Sequence, residues 1–374
     1  MVPIRPGGGH AVFNASKGVN VICGRSRMQL PEFRRVAMVA TSAGLVTALA
    51  LVGAAPAQAA PAGAANDVSV STVAASASAA ARSGLQVADQ SSNYWTPERL
   101  RTAESADVLV EKAGATSGAG LQPTGAAQST PPAGPSERAA TGGRASAGGP
   151  ISTQVNASTT VGKVFFYNPA DSKNYVCSAG TVNSGSKLLV MSAGHCVHGG
   201  KGGQWMQNWI FIPYYNYGAE PYGRWSAKYL TTFNAWINDS NLDRDVAYIT
   251  MWPNGSGQRP VDVLGGNGIS VNYSYEQAVT ILAYPAAPPY DGGWQQYCQG
   301  TTYRPGIWPF QENKIALNCG FTGGSSGSVW LRLYNGSVGY VNGIMSTLGS
   351  GGVNKSSYFD TAVMDVFNSV ADRT

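Results

Sequence analysis

Three short stretches of this chain bring together the residue types needed for nucleophilic catalysis. The first is Leu189-Val190-Met191-Ser192-Ala193-Gly194-His195-Cys196. The second is Asp243-Arg244-Asp245-Val246-Ala247, and the third is Gly323-Gly324-Ser325-Ser326-Gly327-Ser328. In chain order they supply a His, an Asp and a Ser. A serine hydroxyl is a poor nucleophile at neutral pH, so it needs a base within hydrogen-bond reach and a third group that orients the base. The chain has three histidines, His10, His195 and His198. His10 precedes an export signal, which leaves only the other two in the mature protein. His195 follows an apolar run and is next to a cysteine, whereas His198 reads as an ordinary surface or core residue. Asp243 competes with Asp245 for the acid role. Alone, the Gly- and Ser-rich run would read as a flexible turn; its place behind a His and an Asp gives it chemical meaning. The order also excludes an α/β-hydrolase, which needs Gly-x-Ser-x-Gly with its His after the Ser. Here Ser328 stands where that pattern needs Gly, and no His lies beyond His198.

These motifs resemble the chymotrypsin-like serine peptidases. Ser-Ala-Gly-His-Cys is similar to that family's Thr-Ala-Ala-His-Cys, Asp-Val-Ala to Asp-Ile-Ala, and Gly-Ser-Ser-Gly-Ser to Gly-Asp-Ser-Gly-Gly. The last variant is similar to the bacterial secreted branch that includes the glutamyl endopeptidases. The resemblance covers residues 160–370. It implies that His195 is the general base, Asp245 its orienter and Ser326 the nucleophile, with the N–H groups of Gly324 and Ser326 as the oxyanion hole. It places the base of the specificity pocket at Gly320 and one wall at 343–346, including Met345 and Ser346. Glutamate specificity in the similar enzymes depends on a Thr and a His that would align with Phe321 and Met345. Neither is present, and Gly320 offers no acid for a basic side chain. The resemblance therefore implies a pocket for an uncharged, apolar residue. In trypsin-type zymogens a new N-terminus pairs with an Asp immediately before the nucleophile. Here that position is Ser325, so this switch should be absent and activity should tolerate ragged N-termini.

The segments around the motifs indicate an exported protein. Arg34-Arg35 precede an apolar run over 36–55, and Ala57-Gln58-Ala59 supplies a small-residue cleavage site. That is the layout of a signal peptide over 1–59, not of a membrane anchor, and Met28 would give it an ordinary length. Cys23 falls before the cleavage site. Cys177, Cys196, Cys298 and Cys319 remain, an even set that reads as two disulfides in an exported protein. Counting leaves three connectivities open. The family resemblance implies Cys177–Cys196, with Cys298–Cys319 as the second bridge. Each would close a ring of about 20 residues, worth roughly 3 kcal/mol. No C-x-x-C spacing is present, which argues against a metal site. Residues 60–150 are rich in Ala, Ser, Gly, Thr and Pro and read as a pro-region unable to bury much apolar surface. One island, with Thr96 as N-cap and Pro97 at the first helical position, predicts a short helix over 96–114.

From residue 151 to 374 the composition turns to Tyr, Trp, Asn, Val and Gly. Short runs at 160–167, 186–191, 209–214, 246–251, 279–284 and 328–333 read as strands between Gly, Pro and Asn turns. Such spacing indicates an all-β barrel or sandwich. Phe359, Val363, Val366, Phe367 and Val370 recur at helical spacing and predict one C-terminal helix. The family resemblance implies two antiparallel six-stranded β-barrels with the site between them. The net charge of +5 shows no basic stripe, and no phosphate-binding loop or dinucleotide fingerprint is present, which argues against nucleic acid and nucleotide partners. The expectation is a secreted, monomeric serine endopeptidase acting on protein or peptide substrates without a cofactor, metal or membrane. The rival is an inactive homologue serving as an extracellular binding protein.

Overall fold

The computed structural model describes residues 67–72, 84–117, 125–137 and 157–374. The expected signal peptide over 1–59, with Met28 and Cys23, lies outside the described residues. Ahead of the main domain come β1 (Val68–Thr72), α1 (Gly84–Tyr94), α2 (Pro97–Thr102), β2 (Glu104–Ser105), α3 (Asp107–Lys112) and β3 (Gln128–Ser129). Thr96 caps α2 by accepting the Arg99 N–H at 3.3 Å, and Pro97 supplies a φ already suited to the first turn. The single helix expected over 96–114 is instead two short ones. Residues 104 and 105 are extended because they pair in parallel with Tyr175 and Val176, a partnership local sequence cannot reveal. The composition of this region also understates its burial. Trp95, Leu100, Ala106 and Leu109 all enter the main core, since the apolar surface they need is supplied by the domain they dock on.

The domain's first half contains β4 (Val161–Asn168), β5 (Lys173–Thr181), β6 (Leu189–Ser192), β7 (Gln207–Pro213), β8 (Trp225–Phe233), α4 (Asn234–Asp239) and β9 (Ala247–Met251). Its six strands pair antiparallel in the cyclic order β4-β5-β6-β9-β8-β7 and close into a barrel. β6 begins later than the expected run at 186 because Lys187 takes a φ of +60°, which turns the chain before the strand starts. Phe165 and Phe166 on β4 are both fully buried although they point to opposite faces. Phe165 meets Trp95 with ring centroids 5.5 Å apart, so the N-terminal helices cover the barrel's outer face there. β1 lies along the edge of β8, pairing Val68 with Phe233 through to Thr72 with Tyr229.

The second half holds α5 (Pro260–Leu264), β10 (Gly268–Val271), β11 (Ala278–Ala283), β12 (Gln296–Thr301), β13 (Lys314–Asn318), β14 (Val329–Arg332), β15 (Tyr340–Leu348), β16 (Val353–Ser357) and α6 (Thr361–Val370). Six of its strands run antiparallel in the order β12-β11-β14-β15-β16-β13, and a bridge between Tyr303 and Ala316 brings the two ends together. β10 adds in parallel to β15, with β3 on its other edge. Asp360 caps α6, accepting the Ala362 N–H at 3.1 Å, and the helix buries Val363, Met364, Val366, Phe367 and Val370. This is the all-β, two-barrel architecture with a C-terminal helix. Disulfides join Cys177 to Cys196 and Cys298 to Cys319.

Candidate active site

His195 occupies a short 3-10 turn, Gly194–Cys196, immediately after β6, and the Cys196–Cys177 bridge ties this turn to β5. Asp245 closes a second 3-10 turn, Leu242–Arg244, just before β9. Because β6 and β9 are paired neighbours, the two turns emerge side by side. The His195 main-chain N–H donates to Asp245 Oδ1 at 2.8 Å, and its ring Nδ1 lies 2.8 Å from Oδ2. A carboxylate can only accept, so Nδ1 carries the ring proton and Nε2 is left as the basic nitrogen. Ser346, on β15 of the other sheet, donates its hydroxyl to Asp245 Oδ2 at 2.7 Å. Both members of the pair are completely buried. Burial disfavours charge on each. For His195 it is outweighed by the charge and hydrogen bond of Asp245 and by the charge of Asp107, so the imidazole pKa is raised. For Asp245, burial is outweighed by His195 and the Ser346 hydroxyl, so its pKa is lowered.

Asp245, and not Asp243, is therefore the residue that meets His195. His198 faces elsewhere: its Nδ1 accepts the Gly200 N–H at 3.2 Å and its ring packs against Trp205 at 5.0 Å. Burial pushes its pKa down to about 4, which keeps it neutral.

Ser326 lies in the turn leading into β14. Gly324 and Gly327 both have positive φ, +92° and +81°. A Cβ on Gly327 would lie 2.1 Å from Ser192 Oγ and 2.4 Å from the Ser178 carbonyl oxygen, so only glycine lets this turn press against the strands that carry His195. The Ser178 N–H donates to the Ser326 carbonyl at 2.7 Å and fixes the same approach. The Ser326 hydroxyl does not reach for a histidine. It donates to Asp107 Oδ1 at 2.8 Å, and the Gly324 N–H donates to Asp107 Oδ2 at 2.7 Å. Among the described residues, His195 Nε2 is buried with no hydrogen-bond partner. Asp107 was not singled out by sequence reasoning, and no local signal marks it: it is one acid at the start of a six-residue helix.

The expected pocket residues divide into two groups. Phe321 and Met345 are buried in one apolar cluster with Ile315, Trp330 and Tyr358. Asn354 brackets the Phe321 backbone, accepting its N–H at 3.1 Å and donating to its carbonyl at 3.0 Å. Gly320 takes φ +66° and donates its N–H to Gly352 at 2.9 Å. Ser346, expected in the pocket wall, turns its hydroxyl to Asp245. Among the described residues, the group close enough to hold a metal is Cys177, His195 and Cys196, but both sulfurs are joined in the disulfide.

No protein-family model and no curated protein matches the chain. Solved structures do. The thermostable serine protease AL20 from an extremophilic microorganism is similar at 30% identity and a TM-score of 0.54, over 58% of this chain and 98% of that one. Anisep, a protease from Arthrobacter nicotinovorans, is similar at 32% identity and a TM-score of 0.53, over 58% and 97%. The chain belongs to the chymotrypsin-like serine proteases. A Glu endopeptidase in complex with MPD matches more distantly, at 15% identity and a TM-score of 0.47, over 57% and 91%. Almost the whole of AL20 and of Anisep is covered by little more than half of this chain, which therefore carries a large share beyond the protease fold itself.

Proposed function

We propose that the protein is a secreted serine endopeptidase that cleaves peptide bonds through an acyl-enzyme on Ser326. The observation that carries this reading is the buried chain Ser346–Asp245–His195, which leaves Nε2 as the basic ring nitrogen, together with the turn after Ser326, where Gly327 packs on Ser192 and Ala193 just ahead of His195. In the reaction, Ser326 Oγ attacks the scissile carbonyl as His195 Nε2 takes its proton, and the N–H groups of Gly324 and Ser326 hold the oxygen as it gains charge. His195 then returns the proton to the leaving amine, and a water attacks the acyl-enzyme by the same route. Asp245 holds the tautomer and stabilises the imidazolium. The proteolytic relatives support a protein or peptide substrate. Two disulfides, at home in oxidising compartments, and the signal-like N-terminal sequence support secretion. Residues 60–150 act as a pro-region and the mature protease is monomeric.

The primary pocket takes an uncharged apolar side chain: Phe321 and Met345, which the family resemblance assigns to it, belong to an apolar cluster, and a charge buried against them without a partner would be costly. Digestion of a peptide library, with cut sites read by mass spectrometry, tests activity and specificity together. Cleavage after apolar residues is expected. Cuts dominated by Glu, or by Lys and Arg, would refute the pocket assignment and leave the triad intact. An inert protein that still binds peptides would favour the binding-protein alternative.

A further inference from the structure

The segment ahead of the protease domain enters the catalytic centre itself. β2 pairs with Tyr175 and Val176 on β5, and the Ala106 N–H donates to the Val176 carbonyl at 3.1 Å. The next residue is Asp107. Its two carboxylate oxygens take hydrogen bonds from the Ser326 hydroxyl and the Gly324 N–H. Ser105 Oγ donates to Asp107 Oδ2 and steadies the carboxylate from its own side. The site thus presents donors to an anion, and an anion from the same chain fills it.

We propose that Asp107 is an autoinhibitory latch: the catalytic centre is a receptor for an acidic peptide, and in the intact chain residues 104–112 are its resident ligand. This rests on the reading of Ser326 as nucleophile and Gly324 as an oxyanion donor. The latch acts in two ways. It occupies the Gly324 donor that a substrate carbonyl oxygen would need. It also holds the serine hydroxyl proton, so Ser326 is coupled to Asp107 and not to His195 Nε2, which has no partner among the described residues. The charge of Asp107 helps to hold a proton on His195, which further suits the closed state.

Anchors on both sides of Asp107 keep it in place. Before it, Trp95 is buried in the core and donates its indole N–H to the Asn208 carbonyl at 2.6 Å, and the Tyr94 hydroxyl donates to Asn174 at 2.9 Å. After it, Leu109 is buried, and Lys112 pairs with Asp171 at 2.8 Å. Ser325, where trypsin-type zymogens keep an Asp for their own switch, is fully buried and donates its hydroxyl to the Thr322 carbonyl at 2.7 Å. Latency in this chain has a different source, and Asp107 supplies one.

The test is the rate at which a fluorophosphonate labels Ser326 in the intact full chain. Wild type, Asp107→Ala and Asp107→Asn are compared, with mass spectrometry confirming that the chain is uncut and locating the label. Asp107→Ala should label at least tenfold faster than wild type, and the isosteric Asp107→Asn should also be faster. Melting temperatures close to that of wild type would show that the variants are folded. Equal rates in all three, with the label on Ser326, would overturn the latch while the catalytic reading stands. No label on any of them would overturn the catalytic reading and the latch with it.

Discussion

Asp245 accepts hydrogen bonds from three donors, two on His195 in its 3-10 turn and one on Ser346 in β15, and the last can be removed by itself. Ser346→Ala deletes the donor from β15 and leaves the other two. A hydrogen bond to a charged group is worth about 1.5–3 kcal/mol, so kcat should fall by roughly tenfold or more while KM stays unchanged. A raised KM with normal kcat would place Ser346 in substrate binding instead. Asp245→Asn should be far worse, by about four powers of ten, since it disturbs the His195 tautomer. His198 is expected to matter for stability and not for turnover. Its pKa drops from 6.5 to about 4 on burial, so between those values the unfolded chain binds a proton that the folded chain excludes. Folding stability from this residue is therefore full above pH 6.5 and lost as pH falls towards 4. His198→Phe should be less stable at pH 7, because the Gly200 N–H loses its acceptor, yet its melting temperature should decline less between pH 7 and 4. Parallel declines in the two proteins would contradict this.

At the scale of elements, the two disulfides have different tasks despite similar ring sizes. Cys177 and Cys196 are fully buried, and their bridge seats the His195 turn against β5. Cys298–Cys319 joins β12 to the residue just after β13, with no tie to the His195 turn in the bridge itself. Each ring should contribute about 3 kcal/mol, but replacing the first pair by Ala also leaves a buried void. The Cys177→Ala/Cys196→Ala variant should lose both stability and turnover, while Cys298→Ala/Cys319→Ala should melt earlier and keep most of its turnover. Calorimetry and peptide hydrolysis would check both, and equal loss of turnover would contradict the assignment. Elements with their own local signal were legible in the sequence: the apolar run before His195, the Thr96-Pro97 helix start, and the helical spacing of Val363, Val366, Phe367 and Val370. β2 was not. Its two residues have no strand pattern and are extended only because Tyr175 and Val176 pair with them. The hydroxyl of Ser346 could not be placed either, since its partner is 101 residues away.

For the whole molecule, the candidate catalytic groups and their restraint come from three regions far apart in sequence. The first barrel delivers His195 and Asp245, the second sheet delivers Ser326 and Ser346, and the N-terminal segment delivers Asp107. The family motifs single out His195, Asp245 and Ser326 in the sequence, because each has a characteristic neighbour: the cysteine after His195, the Val-Ala after Asp245, the glycines around Ser326. Asp107 has no such neighbour. It was hidden by a composition that suggested little burial, although Trp95, Leu100 and Leu109 dock it firmly. The most direct measurement is peptide hydrolysis by purified protein, comparing wild type with Ser326→Ala and His195→Ala after the N-terminal segment has been removed from the site. Each substitution should lower turnover by several powers of ten, since the members act as one unit. Near-normal hydrolysis by Ser326→Ala would contradict an acyl-enzyme on Ser326.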